Sequence, residues 1–246
     1  MVKHVEIVNK DGRILRGYHH DPMNWKGDIV VFFHGFTGNK TEHDHHFRNM
    51  ARLLEEKGVA SLRMDFSGNG ESDGTFADFT VDTMLPEAVQ MLEYAKSLKG
   101  FKRLFVLGFS MGGAVASTMS SRFPKDIDRL VLWSAAGDMG KHITDRFEQG
   151  EKNERGNVGY IFELSKEMYE SAKKWNPMEG IEKFEGEVLI INGRLDKAVD
   201  PLFGSRYAVS YKNSHLYYID GAGHGYDDPT QYTKLYNLTL EFITKE

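Results

Sequence analysis

The stretch "VLGFSMGGAVAS", residues 106–117, decides how this chain folds. It begins as an apolar, strand-like run, reaches Ser110 between glycines, and continues with small residues at helical spacing. Gly108, Ser110 and Gly112 fit the pattern G-x-S-x-G, in which a strand turns into a helix within about two residues. Such a turn strains the serine backbone and exposes its hydroxyl, so the pattern predicts Ser110 as a nucleophile. The alternative is a tight glycine turn with a chemically idle serine.

The composition is that of an ordinary globular domain. The 246 residues are 40% hydrophobic and 27% charged, with a formal net charge of −5. This balance argues against a nucleic acid or an anionic lipid surface as the main partner. The absence of cysteine excludes disulfides, thiolate zinc sites and a cysteine nucleophile. Because no apolar run approaches the ~20 residues of a membrane helix, we expect no membrane insertion and a cytoplasmic protein.

Apolar strands alternate with amphipathic helices along most of the chain. A hairpin is predicted around "NKDG" (9–12), and "DIVVFF" (28–33) reads as a strand buried on both faces. Further strands are predicted at 59–66, 102–108, 127–135, 186–193 and 214–220, and helices at 45–58, 80–100, 111–123, 201–211 and 229–243. This alternation predicts the α/β class, with a mostly parallel central sheet and helices on both faces. Pro86 is expected near the first turn of its helix.

Residues 137–180 interrupt this alternation. The segment is charged, punctuated by glycines, irregular, and longer than an ordinary connection. An insertion of this length in a compact domain is usually either a functional lid or poorly ordered. We therefore predict a core formed by residues 1–136 and 181–246, with a small cap over residues 137–180.

A serine nucleophile needs a base and an acid that orients the base. His224 lies in the glycine-rich loop "DGAGHGYD" after the last predicted strand, and Asp196 follows the strand before it. His224 is preferred to His142, which lies in the insertion, and to His215, which lies inside a strand. Asp200 is the rival acid, but its place just ahead of a helix favours a capping role. The alternatives are a surface histidine and an aspartate that only forms a turn.

Two backbone amides are candidates for binding an oxyanion. The N–H of Met111 opens the helix after the serine and has no partner within that helix. The N–H of Phe36 lies in "HGFTG" (34–38), directly after the predicted strand 28–33. Parallel α/β sheets collect their ligands at the carboxyl ends of strands, which favours a binding role over a plain glycine turn.

Taken in order, "HGFTG", "GFSMGG", "GRLDKAVD" and "GAGHG" resemble the α/β-hydrolase fold along almost the whole chain. The run "HGFTGNKTEHD…LLEEKGVASLRMDFSGNGESDGTFADFTV" is most similar to bacterial feruloyl (cinnamoyl) esterases. This resemblance implies a triad of Ser110, Asp196 and His224 and an oxyanion hole from the amides of Phe36 and Met111. It also implies no cofactor and the hydrolysis of hydroxycinnamate esters through an acyl-enzyme intermediate.

The resemblance extends to the cap less closely. Family caps carry a tyrosine whose hydroxyl can meet a phenolic acyl group, and Tyr169 is the best match. Tyr160 and Trp175 are further candidates for contacting the substrate, although cap aromatics can equally anchor the cap to the body. The subgroup usually has "GHSQGG", where this chain has Phe109 and Met111. That more apolar turn keeps open a short-chain carboxylesterase or monoacylglycerol lipase without aromatic preference.

The remaining features favour simpler interpretations. "HDHH" (43–46) could suggest a metal site, but a solvated helix start is preferred, and we predict no metal. The expected partner is a small-molecule ester, and a homodimer is compatible with the sequence. From another functional class, the chain could be a non-catalytic relative that only binds a small ligand. Haloalkane dehalogenase chemistry is disfavoured because the turn carries serine, not aspartate.

Overall fold

A computed structural model describes residues 1–245 and shows one eight-stranded sheet with helices on both sides. The strands are β1 (Val2–Val8), β2 (Ile14–His20), β3 (Asp28–Phe33), β4 (Ala60–Met64), β5 (Arg103–Phe109), β6 (Arg129–Trp133), β7 (Glu187–Gly193) and β8 (Ser214–Ile219). The helices are α1 (His46–Glu56), α2 (Val81–Ser97), α3 (Met111–Arg122), α4 (Met139–Gln149), α5 (Lys166–Ala172), α6 (Leu202–Ser210) and α7 (Pro229–Thr244). Within residues 1–245, no helix combines the length and the hydrophobicity needed to span a membrane.

The strands lie in the order β1-β2-β4-β3-β5-β6-β7-β8. The hairpin of β1 and β2 is antiparallel, β2 pairs antiparallel with β4, and the other neighbours are parallel. The predicted α/β class with a mostly parallel sheet is therefore confirmed. Phe33 pairs with Gly108, and Phe109 pairs with Trp133, so β3, β5 and β6 end at nearly the same level. The loops that follow these strands therefore meet at one edge of the sheet.

The central strand β3 shows why these segments are continuously apolar. Ile29, Val31 and Phe33 join the hydrophobic cluster that includes the buried faces of α2 and α3. Val30 and Phe32 join the cluster on the opposite face, which includes residues of α1 and α7. Since side chains alternate between the faces of a strand, a strand covered on both faces is apolar along its buried length, which here runs from Ile29 to Phe33.

Pro86 lies deeper in its helix than the sequence suggested. It is the sixth residue of α2, in the second turn, whereas we expected it near the first. Because proline has no N–H, the Asp82 carbonyl four residues earlier receives no helical hydrogen bond. The Lys10 ammonium donates to that carbonyl instead, at 3.3 Å. This contact from the N-terminal hairpin explains how α2 accommodates the proline.

The segment predicted as an irregular insertion contains two helices, α4 and α5. Met139, Ile143 and Phe147 form a buried face of α4 at intervals of four residues. The Ser171 hydroxyl of α5 accepts a hydrogen bond from the Val81 N–H at 3.1 Å, which ties the segment to the start of α2. The segment is therefore folded and packed on the helical layer. Its separation as a cap over residues 137–180 remains a prediction.

Candidate active site

Ser110 occupies the turn between β5 and α3 with a left-handed backbone, φ 55° and ψ −118°. For a residue other than glycine, such a conformation costs about 1–3 kcal/mol and persists only where the surroundings enforce it. Here the Ser110 N–H donates to the Trp133 carbonyl at 2.9 Å, and its carbonyl accepts from the Ala136 N–H at 3.1 Å. The hydroxyl makes no capping hydrogen bond to α3. The turn therefore holds the serine backbone firmly and leaves its hydroxyl unused by the helix.

The glycines flanking Ser110 are required by close backbone contacts. A β-carbon added at Gly108 would lie 2.1 Å from the carbonyl oxygen of Gly112. One added at Gly112 would lie 1.8 Å from the carbonyl oxygen of Phe33, the last residue of β3. Neither position has room for a side chain, and the second contact presses the start of α3 against the end of β3. The loop after β3 is thereby brought to the serine.

Asp196 and His224 form a hydrogen-bonded pair at the same edge of the sheet. The Nδ1 of His224 lies 2.7 Å from Oδ2 of Asp196, while Oδ1 accepts from the N–H groups of Ala198 and Val199, both at 2.9 Å. Burial of this carboxylate raises its pKa, but the hydrogen bonds from His224 and the two amides outweigh burial, so the pKa of Asp196 is lowered overall. Asp196 is therefore ionised at neutral pH and acts as a fixed acceptor.

The imidazole of His224 lies beside the serine turn. Its ring packs on the ring of Phe109, the residue before Ser110, with centroids 4.8 Å apart. Within residues 1–245, His224 Nδ1 is engaged by Asp196, and no hydrogen bond joins the imidazole to the Ser110 hydroxyl. Asp200 instead accepts from the Leu202 N–H at 2.9 Å, at the start of α6, as a capping residue does. The structure thus pairs His224 with Asp196 and not with Asp200.

The loop after β3 touches the serine turn. A β-carbon added at Gly35 would lie 3.5 Å from Cβ of Ser110. The Gly35 N–H donates to the Glu42 carboxylate at 2.6 Å, whereas the N–H groups of Phe36 and Met111 have no acceptor within the described residues. One amide without an acceptor thus directly follows Ser110 in sequence, and the other belongs to the residue after Gly35, which lies beside the serine turn. Glu42 was missed by the sequence analysis, because a contact across seven loop residues leaves no periodic pattern.

Aromatic rings from the core and the 137–180 segment meet next to Phe36. The rings of Phe36 and Phe76 pack edge to face with centroids 5.2 Å apart, and Phe162 packs on Phe76 at the same distance. The Arg146 guanidinium lies over the Phe36 ring at 5.6 Å. An apolar surface with one cation at its border thus adjoins one of the two free amides.

The three predicted substrate contacts in the 137–180 segment have different surroundings. The Tyr169 hydroxyl donates to Glu148 at 2.7 Å, and this bond raises the pKa of the phenol, which stays protonated. Trp175 is buried, and its Nε1–H donates to the Thr118 hydroxyl of α3 at 3.0 Å, so it anchors the segment to the core. Tyr160 is 96% exposed on an open surface depression. None of the three has a described contact with Ser110 or His224.

A cavity of about 470 Å³ lies between α4, α5 and the chain that follows them. Its polar lining residues include groups of both charges, and they are Asp138, Glu148, Lys141, Lys173 and the neutral Thr144 and Asn176. Ser110 and His224 do not line it. Two of its lining residues, Gly137 and Asp138, are nevertheless close to the serine turn along the chain. They directly follow Ala136, whose N–H donates to the Ser110 carbonyl. Neither Asp138 nor Glu148 was among the predicted site residues.

The histidine-rich stretch 43–46 is only partly the solvated helix start that we expected. His43 and His45 are exposed, but His46 is 1% exposed. Its Nε2 lies 2.7 Å from the Gly225 carbonyl and its Nδ1 lies 2.5 Å from the Tyr236 hydroxyl. Since a carbonyl can only accept, Nε2 carries the proton and Nδ1 accepts from the tyrosine. The expectation is wrong for His46, because burying it gives both ring nitrogens a partner.

A small group of possible metal ligands lies nearby. His43, Asp44 and Asp227 place one ligand atom each within 4.8 Å of one another. All three side chains are exposed, and His43 Nε2 already lies 2.7 Å from the Asp227 carboxylate. This contact explains the cluster as a hydrogen-bonded pair at the surface, so it gives no reason to propose a metal.

The chain is similar to a protein family and to several known proteins and solved structures. Residues 28–176, more than half of the chain, match the alpha/beta hydrolase fold family. Among solved structures, Est1E from Butyrivibrio proteoclasticus with bound ferulic acid is 27% identical, with a TM-score of 0.85, and the match covers 97% of each chain. GrgF from a Penicillium species shares the fold at a TM-score of 0.76 and 17% identity, covering 99% of this chain and 98% of that one.

Curated relatives match a shorter region. Protein phosphatase methylesterase 1 of Candida albicans is 31% identical over 119 residues, which is 48% of this chain and 31% of that protein. Lipase 1 of Psychrobacter immobilis is 34% identical over 115 residues, which is 46% of this chain and 33% of that protein. The matches thus span about a third of the length of these two relatives. With the family match over residues 28–176 and the fold described above, the chain belongs to the α/β-hydrolase family.

Proposed function

We propose that this chain is a serine ester hydrolase, with Ser110 as nucleophile, His224 as general base and Asp196 as the acid that orients the base. The observation that carries this proposal is the 2.7 Å hydrogen bond from His224 to the buried Asp196 carboxylate, beside the strained serine turn. A carboxylate acceptor at Nδ1 requires the proton there, so Nε2 keeps a free lone pair for the serine proton. The hydrogen bond between base and nucleophile often tightens only when substrate binds.

In the proposed reaction, the Ser110 oxygen attacks the ester carbonyl carbon while Nε2 of His224 takes the hydroxyl proton. The carbonyl electron pair moves to oxygen, and the free N–H groups of Phe36 and Met111 would donate to this oxyanion. The carbonyl then re-forms, the alcohol leaves, and His224 returns the proton to it. Water next attacks the acyl-serine with His224 again as base, which releases the acid and restores the serine. No cofactor is needed for these steps.

The proposed acyl group is aromatic, of the hydroxycinnamate type. The packed rings of Phe36, Phe76 and Phe162 beside the Phe36 amide suit a planar apolar group. The protonated Tyr169 hydroxyl could exchange its Glu148 partner for a phenolic oxygen. The side chain of Met111 is fully buried in the hydrophobic cluster of α2 and α3. The likeness to Est1E with bound ferulic acid, at 27% identity, points the same way.

Labelling with a fluorophosphonate probe is expected to give one covalent adduct, on the peptide that contains Ser110. An activated serine attacks the phosphorus centre, whereas an ordinary surface serine does not react. The adduct is located by digestion and mass spectrometry, with heat-unfolded protein as the control that should remain unlabelled. A folded protein that forms no adduct would favour the non-catalytic ligand-binding alternative. An adduct at another serine would show that this other serine, and not Ser110, is the nucleophile.

An ester panel is expected to give a kcat/KM for methyl ferulate at least ~10-fold above that for methyl butyrate or a monoacylglycerol. Differences in the apolar contacts of a pocket typically discriminate by about 10–200-fold. The comparison uses initial rates at several substrate concentrations, with methyl cinnamate as the analogue that lacks the phenol. A preference for butyrate or the monoacylglycerol would replace the feruloyl proposal by a short-chain carboxylesterase or a lipase, and would leave the serine mechanism intact.

A further inference from the structure

The Glu42 carboxylate lies inside the turn that carries the Phe36 amide. Its Oε2 accepts from the Gly35 N–H at 2.6 Å. A β-carbon added at Gly38 would lie 3.1 Å from each carboxylate oxygen, so the carboxylate fills the space that the turn encloses. Glu42 thus holds the turn from within and binds the amide next to that of Phe36.

The peptide unit that carries the Phe36 N–H is also held at its carbonyl end. The carbonyl of this unit belongs to Gly35, and it accepts from the Gly38 N–H at 3.0 Å and from Nδ1 of His34 at 2.9 Å. His34 Nε2 accepts from the Phe66 N–H at 3.1 Å, which leaves the imidazole proton on Nδ1. The two hydrogen bonds at the carbonyl restrict the peptide plane, and they also polarise its N–H as a donor.

Glu42 itself is held by a strained segment that reaches the opposite loop of the site. Its backbone is left-handed, with φ 61°, and such strain is concentrated at functional sites. The next residue, His43, lies 2.7 Å from the Asp227 carboxylate, and His46 donates to the Gly225 carbonyl at 2.7 Å. Gly225 directly follows His224. The segment 42–46 therefore contacts the loop 34–38, which carries the Phe36 amide, through Glu42. It contacts the loop that carries His224 through His43 and His46.

We propose that Glu42 is a positioning residue of the oxyanion hole, which fixes the Gly35 amide so that the neighbouring Phe36 N–H faces the reacting carbonyl oxygen. This inference rests on the proposed serine mechanism. A negative charge near a developing oxyanion is unfavourable by itself, because like charges repel. Glu42 therefore acts as a hydrogen-bond acceptor and not through its charge. It follows that glutamine, which keeps an acceptor oxygen and loses the charge, can replace it, whereas alanine cannot.

The test compares Glu42→Ala, Glu42→Gln and the charge-matched control Glu56→Ala, whose side chain is exposed on α1. Loss of a complete oxyanion donor costs about 10²–10³-fold in kcat, and a misdirected donor costs part of that. For p-nitrophenyl butyrate we expect Glu42→Ala to lower kcat by roughly 10–100-fold with KM within about twofold. Glu42→Gln should stay within about threefold and Glu56→Ala should be unchanged. Affinity for a trifluoromethyl ketone, whose serine adduct carries an oxyanion, should fall with kcat/KM.

Several results would overturn this role. One is a folded Glu42→Ala protein with the wild-type kcat and ketone affinity. Another is a Glu42→Gln protein whose kcat falls as far as that of Glu42→Ala while its melting temperature is unchanged. This result would mean that the negative charge of Glu42, and not its hydrogen bond, is required. If Glu42→Ala does not fold, a loss of kcat and ketone affinity in folded Glu42→Gln would still overturn the role. Wild-type protein without fluorophosphonate labelling would overturn the serine mechanism and this inference together, whereas normal labelling with insensitivity to Glu42 would overturn only the latter.

Discussion

Ser110→Ala is expected to lower kcat for p-nitrophenyl butyrate by roughly 10⁴–10⁶-fold. In serine hydrolases the residual catalysis without the nucleophile comes only from binding and the oxyanion donors. The substitution removes one oxygen that makes no capping contact with α3. The N–H and carbonyl that bind Trp133 and Ala136 belong to the backbone and persist in alanine. Measured as initial rates with purified protein, turnover at the wild-type level would exclude Ser110 as the nucleophile.

The structure also supplies a matched control for that result. Ser121 lies near the other end of the same helix, α3, and its hydroxyl donates to the Thr118 carbonyl one turn earlier. Ser121→Ala should keep the wild-type kcat, because the residue contacts none of the site residues. Both variants should melt within about 2 °C of the wild type, since each change is worth roughly 0.5 kcal/mol or less. A large loss of stability in Ser110→Ala would mean that the hydroxyl also supports the turn.

The sheet could be predicted from the sequence because its signals are local and strong. The run 28–33 coincides with β3 as observed, since a strand buried on both faces is apolar along its buried length. Pro86 was placed too near the helix start because its accommodation depends on a distant contact. The Lys10 side chain that serves the freed Asp82 carbonyl comes from the hairpin, 72 residues away in sequence. Local propensity carries no information about such a partner.

The two helices of the 137–180 segment were missed although part of their pattern is visible. Met139, Ile143 and Phe147 recur every four residues, but charged residues and glycines surround them. Short helices receive most of their stability from tertiary packing and not from propensity. Here that packing includes Trp175, whose Nε1–H binds Thr118 of the core helix. The sequence showed that the alternation of strands and helices is interrupted at residues 137–180. The helices α4 and α5 within this segment depend on its packing against the core.

The contacts of the candidate site also include some that the sequence could predict and some that it could not. The pairing of His224 with Asp196 could be anticipated, because each follows a predicted parallel strand, and such strand ends share one edge. The Glu42 contact with Gly35 could not, because it spans a loop with left-handed residues and no periodicity. The partners of His46 could not be predicted either, because its two ring nitrogens contact residues 179 and 190 positions away in sequence. Contacts between loops become visible only when the fold has brought those loops together.

Asp196→Asn is expected to lower kcat by about 10³–10⁴-fold, by forcing His224 into the wrong tautomer. The reason lies in the two amides that bind the carboxylate. Oδ1 accepts from the N–H groups of Ala198 and Val199, so in asparagine the oxygen must remain there to receive them. The NH₂ group then occupies the position of Oδ2 and donates to His224 Nδ1. The imidazole proton moves to Nε2, which can no longer accept the serine proton.

The control for this prediction is Asp200→Asn, because Asp200 is the other carboxylate after the same strand. Its side chain is exposed and accepts only the Leu202 N–H at the start of α6, a contact that asparagine also makes. We therefore expect Asp200→Asn to keep kcat within about twofold of the wild type, measured on the same ester as Asp196→Asn. If Asp200→Asn lost activity and Asp196→Asn retained it, the acid would be Asp200, and the Asp196–His224 hydrogen bond would be structural. Both substitutions remove one negative charge near the same loop, so their expected outcomes differ because only Asp196→Asn changes the tautomer of His224.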